Sequence, residues 1–204
     1  MVHDDQSHRG AGPHDRVIGG LRHELSPRSG GTRRLTPGSP RRNRERSGPD
    51  PAVTVVEMLR SAGETLAVAE SCTGGWLGRD ITSVPGASAS FWGGIIAYDN
   101  SAKLNLLAVS PETLAVQGAV SEATAAEMAS GVAALSGATW SVAITGLAGP
   151  SGGTRDKPVG TVCLAVAGPV PLSRTYLLPG DREKVRREAV TRAFGLLVEA
   201  LERR

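Results

Sequence analysis

Residues 65–78, TLAVAESCTGGWLG, close a short apolar run at Glu70 and continue with Ser71, Cys72 and Thr73 before Gly74 and Gly75. A hydroxyl or thiol at a strand-to-helix turn lies near free N–H groups and the positive end of a helix dipole. Such groups stabilise an alkoxide, a thiolate or an oxyanion. The two glycines would let a substrate come close to the backbone. The structural alternative is simpler, because Ser and Thr are preferred helix caps and Ser71 in that role only accepts a backbone hydrogen bond. The pattern alone leaves both readings open.

A nucleophile needs a base, and the residue inventory narrows the choice. The four histidines, His3, His8, His14 and His23, all precede residue 51. The rest of the chain therefore has no Ser-His or Cys-His pair and no His-ligated metal site. Lysine is the substitute, since burial lowers an amine's pKa towards neutrality. Only Lys103, Lys157 and Lys184 are available there. Lys184 falls on the charged side of the last helix, and Lys157 in the polar loop TRDKPVG. Lys103 ends YDNSAK, just after an apolar strand read as ending in Tyr98, and open α/β sheets collect their ligands at the carboxyl ends of strands. Tyr98 and Lys103 can thus share a rim with Ser71, or Lys103 only decorates a short helix.

Two further stretches carry chemistry. AITGLAGPSGGTRDKPVG leaves a strand at Thr145 and enters a loop with five glycines, from Gly146 to Gly160. It has neither Walker nor dinucleotide-fold spacing, but its backbone suits contact with a phosphate or carbonyl. GDREKVRREAV sets Arg182 and Arg186 one turn apart at a helix start, a seat for an anion unless both are solvated charges.

The elements that must position these groups begin near Pro51. Before it, ten Arg and no Lys stand against six acidic residues in a Gly-, Pro- and Ser-rich segment without apolar periodicity. Residues 1–50 are expected to be a disordered extension, either without function or touching nucleic acid through its arginines. Residues 51–204 carry thirteen basic against fourteen acidic residues, a near-neutral balance with no basic footprint for nucleic acid. There VTVVEMLRSAG reads as a helix ending before Gly63, and TLAVAE as a buried strand. Ser71 to Ser83 reads as a helix, and SFWGGIIAYDN holds a strand. Two short helical pieces, an Ala-rich helix capped by Ser121, the strands TWSVAIT, VGTVCLAVAG and LSRTYLL, and a long helix from Asp181 complete the order. Five strands interleaved with helices predict a three-layer α/β/α sandwich around a mostly parallel or mixed sheet. The cysteines show neither disulfide nor zinc spacing, and neither a membrane span nor a secretory leader is evident, so the cytoplasm is the expected compartment.

AESCTGGWLG, GGIIAYDNSAK, GAVSEATAAEMA, ITGLAGPSGGTRDKPVGTV and GDREKVR, in this order, resemble the CinA C-terminal domain, the family of bacterial nicotinamide-nucleotide amidohydrolases. The resemblance spans nearly all of residues 52–202. It implies a stand-alone amidohydrolase domain, often a dimer, that converts nicotinamide mononucleotide to nicotinate mononucleotide and ammonia without metal or cofactor. The family's nucleophilic serine falls on Ser71, and its tyrosine and lysine on Tyr98 and Lys103. Its glycine-loop positions fall on Thr145, Gly146 and Gly149, and its arginine on Arg182. Asp99-Asn100-Ser101 departs from the Ser-Asn-Glu of many relatives but keeps the Tyr98–Lys103 spacing.

The mechanism this implies is acyl transfer. Lys103, held neutral by burial, takes the Ser71 proton directly or through Tyr98, and backbone N–H groups at residues 72–75 receive the oxyanion. Thr73, Gly74 and Gly75 would contact the substrate, and Arg182 or loop amides its phosphate. The competing reading is a non-catalytic module that binds a pyridine nucleotide and acts through a protein partner.

Overall fold

The computed structural model describes residues 50–204; the expected disordered extension lies outside the described residues, apart from Asp50. Helix α1 (Pro51–Ala62) starts where the Asp50 side chain accepts from the N–H of Ala52, and ends at Gly63. Strand β1 (Leu66–Glu70) is buried throughout. Then come α2 (Trp76–Thr82), β2 (Phe91–Ile96), α3 (Asn100–Leu107), α4 (Pro111–Val116) and α5 (Glu122–Ser136). Strands β3 (Trp140–Gly146), β4 (Thr161–Ala167) and β5 (Leu172–Leu177) precede the long α6 (Arg182–Glu202).

The five strands form one sheet in the order β2-β1-β3-β4-β5. Strand β1 runs parallel to both β2 and β3, while β3–β4 and β4–β5 are antiparallel. The sheet is therefore mixed, and its three parallel strands deliver their carboxyl ends to one edge of the molecule.

Side chains alternate across each strand and so divide the core. Leu66 and Val68 of β1, Trp140, Val142 and Ile144 of β3, and Val162, Leu164 and Val166 of β4 pack with α1, α2 and α6. The opposite face offers small residues, Ala67, Ala69, Ala143, Cys163 and Ala165, against Leu107 of α3 and Met128, Ala129 and Val132 of α5. Small residues on that face let α5 lie close to the sheet, and α5 in turn supports α3, the helix that carries Lys103. Each fully buried Leu or Val contributes roughly 1.5–3 kcal/mol. This is the expected three-layer architecture. Among the described residues no helix is long and apolar enough to cross a membrane.

Two elements differ from their expected extent. The helix predicted from Ser71 begins only at Trp76, because Gly74 and Gly75 adopt left-handed backbone (φ 59° and 93°) and Gly75 occupies the capping position. Strand β2 likewise stops at Ile96, two residues before Tyr98.

Candidate active site

Three parallel strands end together. Ser71 follows β1 and Ala97–Tyr98 follow β2, while Thr145 and Gly146 close β3. Their ends are tied by backbone hydrogen bonds from Ser71 N–H to Ile144 (2.9 Å) and from Ala97 N–H to Glu70 (2.8 Å). A cleft of about 350 Å³ opens there, lined among others by Ser71, Cys72, Tyr98, Lys103, Thr145, Gly146, Gly149 and Arg182. Its volume lies within the range of ligand pockets, roughly 300–1,000 Å³.

Lys103 stands at the floor of this cleft, with 1% of its surface exposed. The Asp99 side chain caps α3 by accepting from Ser101 N–H at 2.8 Å, which sets the first turn and points Lys103 under the strand ends. Its Nζ lies 3.2 Å from Ser71 Oγ, 2.9 Å from the Ala97 carbonyl and 3.2 Å from the Tyr98 carbonyl. Carbonyls only accept, so a neutral amine spends both N–H groups on them and turns its lone pair to the serine hydroxyl. Burial pushes the Lys103 pKa below its ordinary value, against smaller opposing effects of Asp99 and Cys72. A lysine buried beside a serine, with no salt bridge among the described residues, is the arrangement of a general base.

The nucleophile's turn is held from two sides. The buried carboxylate of Glu70 accepts from the N–H groups of Gly75 (3.0 Å), Leu77 (3.1 Å) and Gly78 (2.8 Å), so it occupies the start of α2. The Arg186 guanidinium donates to the carbonyls of Cys72 (3.0 Å) and Thr73 (2.7 Å) and lies 3.9 Å over the Trp76 ring. Gly74 N–H returns to the Ser71 carbonyl. No hydrogen bond from the Thr73 N–H is found among the described residues. The Cys72 thiol itself is pushed up to about 12 by burial, which leaves it protonated and a poor nucleophile.

At the mouth, Arg182 donates to the Gly149 carbonyl (2.7 Å) and to the Tyr98 hydroxyl (3.0 Å). Tyr98 is 61% exposed, and its hydroxyl thus meets Arg182 rather than bridging Ser71 and Lys103. Only its backbone carbonyl touches the lysine. The Thr145 hydroxyl donates to the Ala119 carbonyl at 2.7 Å and so anchors β3 to the segment that leads into α5.

The CinA C-terminal domain family model matches residues 50–201.

The chain belongs to that family. A CinA-like protein of Synechococcus is 50% identical over 153 residues, covering 74% of this chain and 36% of the relative. One from Trichormus variabilis is 57% identical over 118 residues, 58% of this chain and 28% of the relative. The chain thus spans about a third of the length of these curated relatives. A crystal structure of a CinA superfamily protein from Klebsiella pneumoniae superposes with a TM-score of 0.73 at 37% identity, covering 76% of this chain and 97% of the other. A superfamily protein from Escherichia coli gives 0.70 at 34% identity, covering 72% and 87%.

Of the residues singled out in the sequence of this CinA-family chain, Ser71, Tyr98, Lys103, Thr145, Gly146, Gly149 and Arg182 meet around one cleft. Thr73, Gly74 and Gly75 do not line it. Thr73 is fully buried, and Gly75 gives its N–H to Glu70. Arg186 is likewise committed to the turn, so Arg182 is the guanidinium that borders the cleft. Sequence reasoning passed over Glu70, whose signal was a carboxylate closing a buried strand just ahead of a helix start. It also passed over Asn100 and Ser151, which line the mouth and have no distinctive local signature.

Proposed function

We propose that this CinA-family chain hydrolyses the carboxamide of nicotinamide mononucleotide, releasing ammonia and nicotinate mononucleotide. The observation that carries the reading is the contact between the buried Lys103 amine and Ser71. The resemblance of the site residues to those of nicotinamide-nucleotide amidohydrolases supplies the substrate.

Lys103 takes the Ser71 proton directly, and the oxygen attacks the carboxamide carbon. The resulting oxyanion is received at the start of the turn, where Cys72 borders the cleft. Lys103, now protonated, gives its proton to the departing nitrogen as the C–N bond breaks, so ammonia leaves and a nicotinoyl ester remains on Ser71. Water then attacks that ester with Lys103 again as base, and Ser71 recovers its proton. Arg182 and the glycine-loop amides hold the phosphate away from the reacting carbon. Tyr98 orients Arg182 instead of relaying the proton.

The chain would act as a cytoplasmic homodimer. Trp92 and Ile96, 52% and 55% exposed on the edge strand β2, support association. The test is ammonia release from the mononucleotide by the purified protein, beside the Ser71→Ala variant. Loss of release in the variant with an unchanged melting curve is expected, and equal turnover by both would sink the proposal. Mononucleotide binding without ammonia release would instead favour the non-catalytic module.

A further inference from the structure

A second arginine bears on the nucleophile without reaching the cleft. The two carbonyls that Arg186 holds belong to consecutive peptides, Cys72–Thr73 and Thr73–Gly74. In a trans peptide the carbonyl and the N–H point in opposite directions. Fixing the Cys72 carbonyl on the guanidinium therefore fixes the orientation of the whole Cys72–Thr73 peptide plane. The second bond fixes the next peptide, whose N–H closes the turn on the Ser71 carbonyl at 3.1 Å. A full positive charge on a peptide oxygen also draws electron density from the amide and strengthens its N–H as a donor.

The position of Arg186 is itself constrained. It stacks on Trp76, the first residue of α2, and comes from the second turn of α6. Alanine at Gly74 would bring its Cβ to 3.3 Å from the guanidinium, so the turn and the arginine fit closely. A residue serving only to solubilise α6 would not bridge two backbone carbonyls 113 and 114 positions away.

From this geometry we infer that Arg186 is a positioning residue for acyl transfer, fixing the turn that follows Ser71 so that its hydroxyl stays in line with Lys103. The inference rests on the Ser71 mechanism above, but not on the identity of the substrate.

Its test compares wild type with Arg186→Ala and Arg186→Lys by two measurements. One is ammonia release from nicotinamide mononucleotide. The other is the rate at which an alkyl fluorophosphonate labels Ser71, where an O–P bond forms, fluoride leaves and Lys103 takes the proton. Misplacing reacting groups by about 1 Å costs about 100-fold. Arg186→Ala should lose about that factor in kcat and in labelling rate, with KM little changed. A lysine reaches one carbonyl at a time and should recover only part of the rate. Added guanidinium ion should restore part of the activity of Arg186→Ala, which a merely structural loss would not allow.

Wild-type labelling and turnover by Arg186→Ala would overturn the inference. So would a loss that follows only the unfolded fraction seen by circular dichroism. If wild type is labelled but releases no ammonia, the substrate reading fails, and the labelling rates of the variants still decide the role of Arg186. If wild type does neither, both fall together.

Discussion

The Lys103 amine and the Ser71 hydroxyl lie 3.2 Å apart although 32 positions separate them in the chain. Strand β1 and helix α3 bring them together, with β2 as the spacer between. Because its other two hydrogen-bond partners among the described residues are carbonyls, the serine is the contact able to give up a proton.

Replacing Lys103 by Met keeps much of the side-chain volume and removes the base. General-base catalysis contributes roughly 10²–10⁴-fold, so kcat for ammonia release should fall by about that factor while mononucleotide binding survives. Lys103→Arg should be no better, since a guanidinium stays charged at any accessible pH. Steady-state kinetics with calorimetric binding checks this, and a Met variant with wild-type kcat removes Lys103 from the mechanism.

The pH dependence follows from the direction of the lysine's shift. Burial sets the folded-state pKa below the ordinary 10.5, so the neutral amine, and with it activity, should rise with pH through that folded value. Asp99 and Cys72, the ionisable groups that act on it, oppose the shift in part. Between the folded value and 10.5 the unfolded chain holds a proton that the folded chain lacks, so stability gains with pH across that window. Below the folded value both states hold the proton, and the full cost of burying the charge is felt. Wild type should therefore gain melting temperature relative to Lys103→Met as pH climbs towards 10.5. Parallel melting curves at every pH would show that residue 103 titrates alike in both states.

Much of this arrangement was legible in the sequence. Apolar runs marked the five strands, and Gly63 and Ser121 marked helix ends, because caps and periodicity are local signals. The absence of histidine after residue 50 left lysine as the base. Less legible was the turn at 71–75. A helix starting at Ser71 would present its own N–H groups to the substrate, but Glu70 fills that role and moves the start to Trp76. Which of Arg182 and Arg186 faces the cleft was equally hidden, because residues four apart share one face of a helix. Contacts from β2 and the glycine loop to Arg182, and from the Ser71 turn to Arg186, separate them, and both kinds are long-range.

Arg182 ties the Tyr98 hydroxyl to the Gly149 carbonyl and is the guanidinium at the mouth. Hydrogen bonds to charged groups contribute roughly 1.5–3 kcal/mol. Arg182→Ala should therefore raise KM for the mononucleotide by about 10–100-fold. Free nicotinamide has no phosphate, so its kcat/KM should change far less. An equal loss on both substrates would place Arg182 in the chemistry rather than in phosphate recognition.

Gly146 tests how closely the strand ends must meet. An added Cβ would lie 2.8 Å from the Val162 side chain, 2.9 Å from the Thr161 carbonyl and 3.1 Å from Cys72 Sγ. A side chain can rotate away, but the Thr161 carbonyl belongs to the β4 backbone and the thiol to the nucleophile's turn. Relief therefore requires β3 to part from β4 or the Ser71 turn to shift from Lys103. Gly146→Ala should cost about 1–3 kcal/mol of stability and lower kcat in the fraction that remains folded. Gly195 supplies the control: it lies in α6 with nothing within 4 Å of its added Cβ. There the same substitution should stabilise by about 0.5–1 kcal/mol with kcat unchanged, through helix propensity alone. If both variants melt and turn over alike, the close approach at Gly146 does not constrain the site.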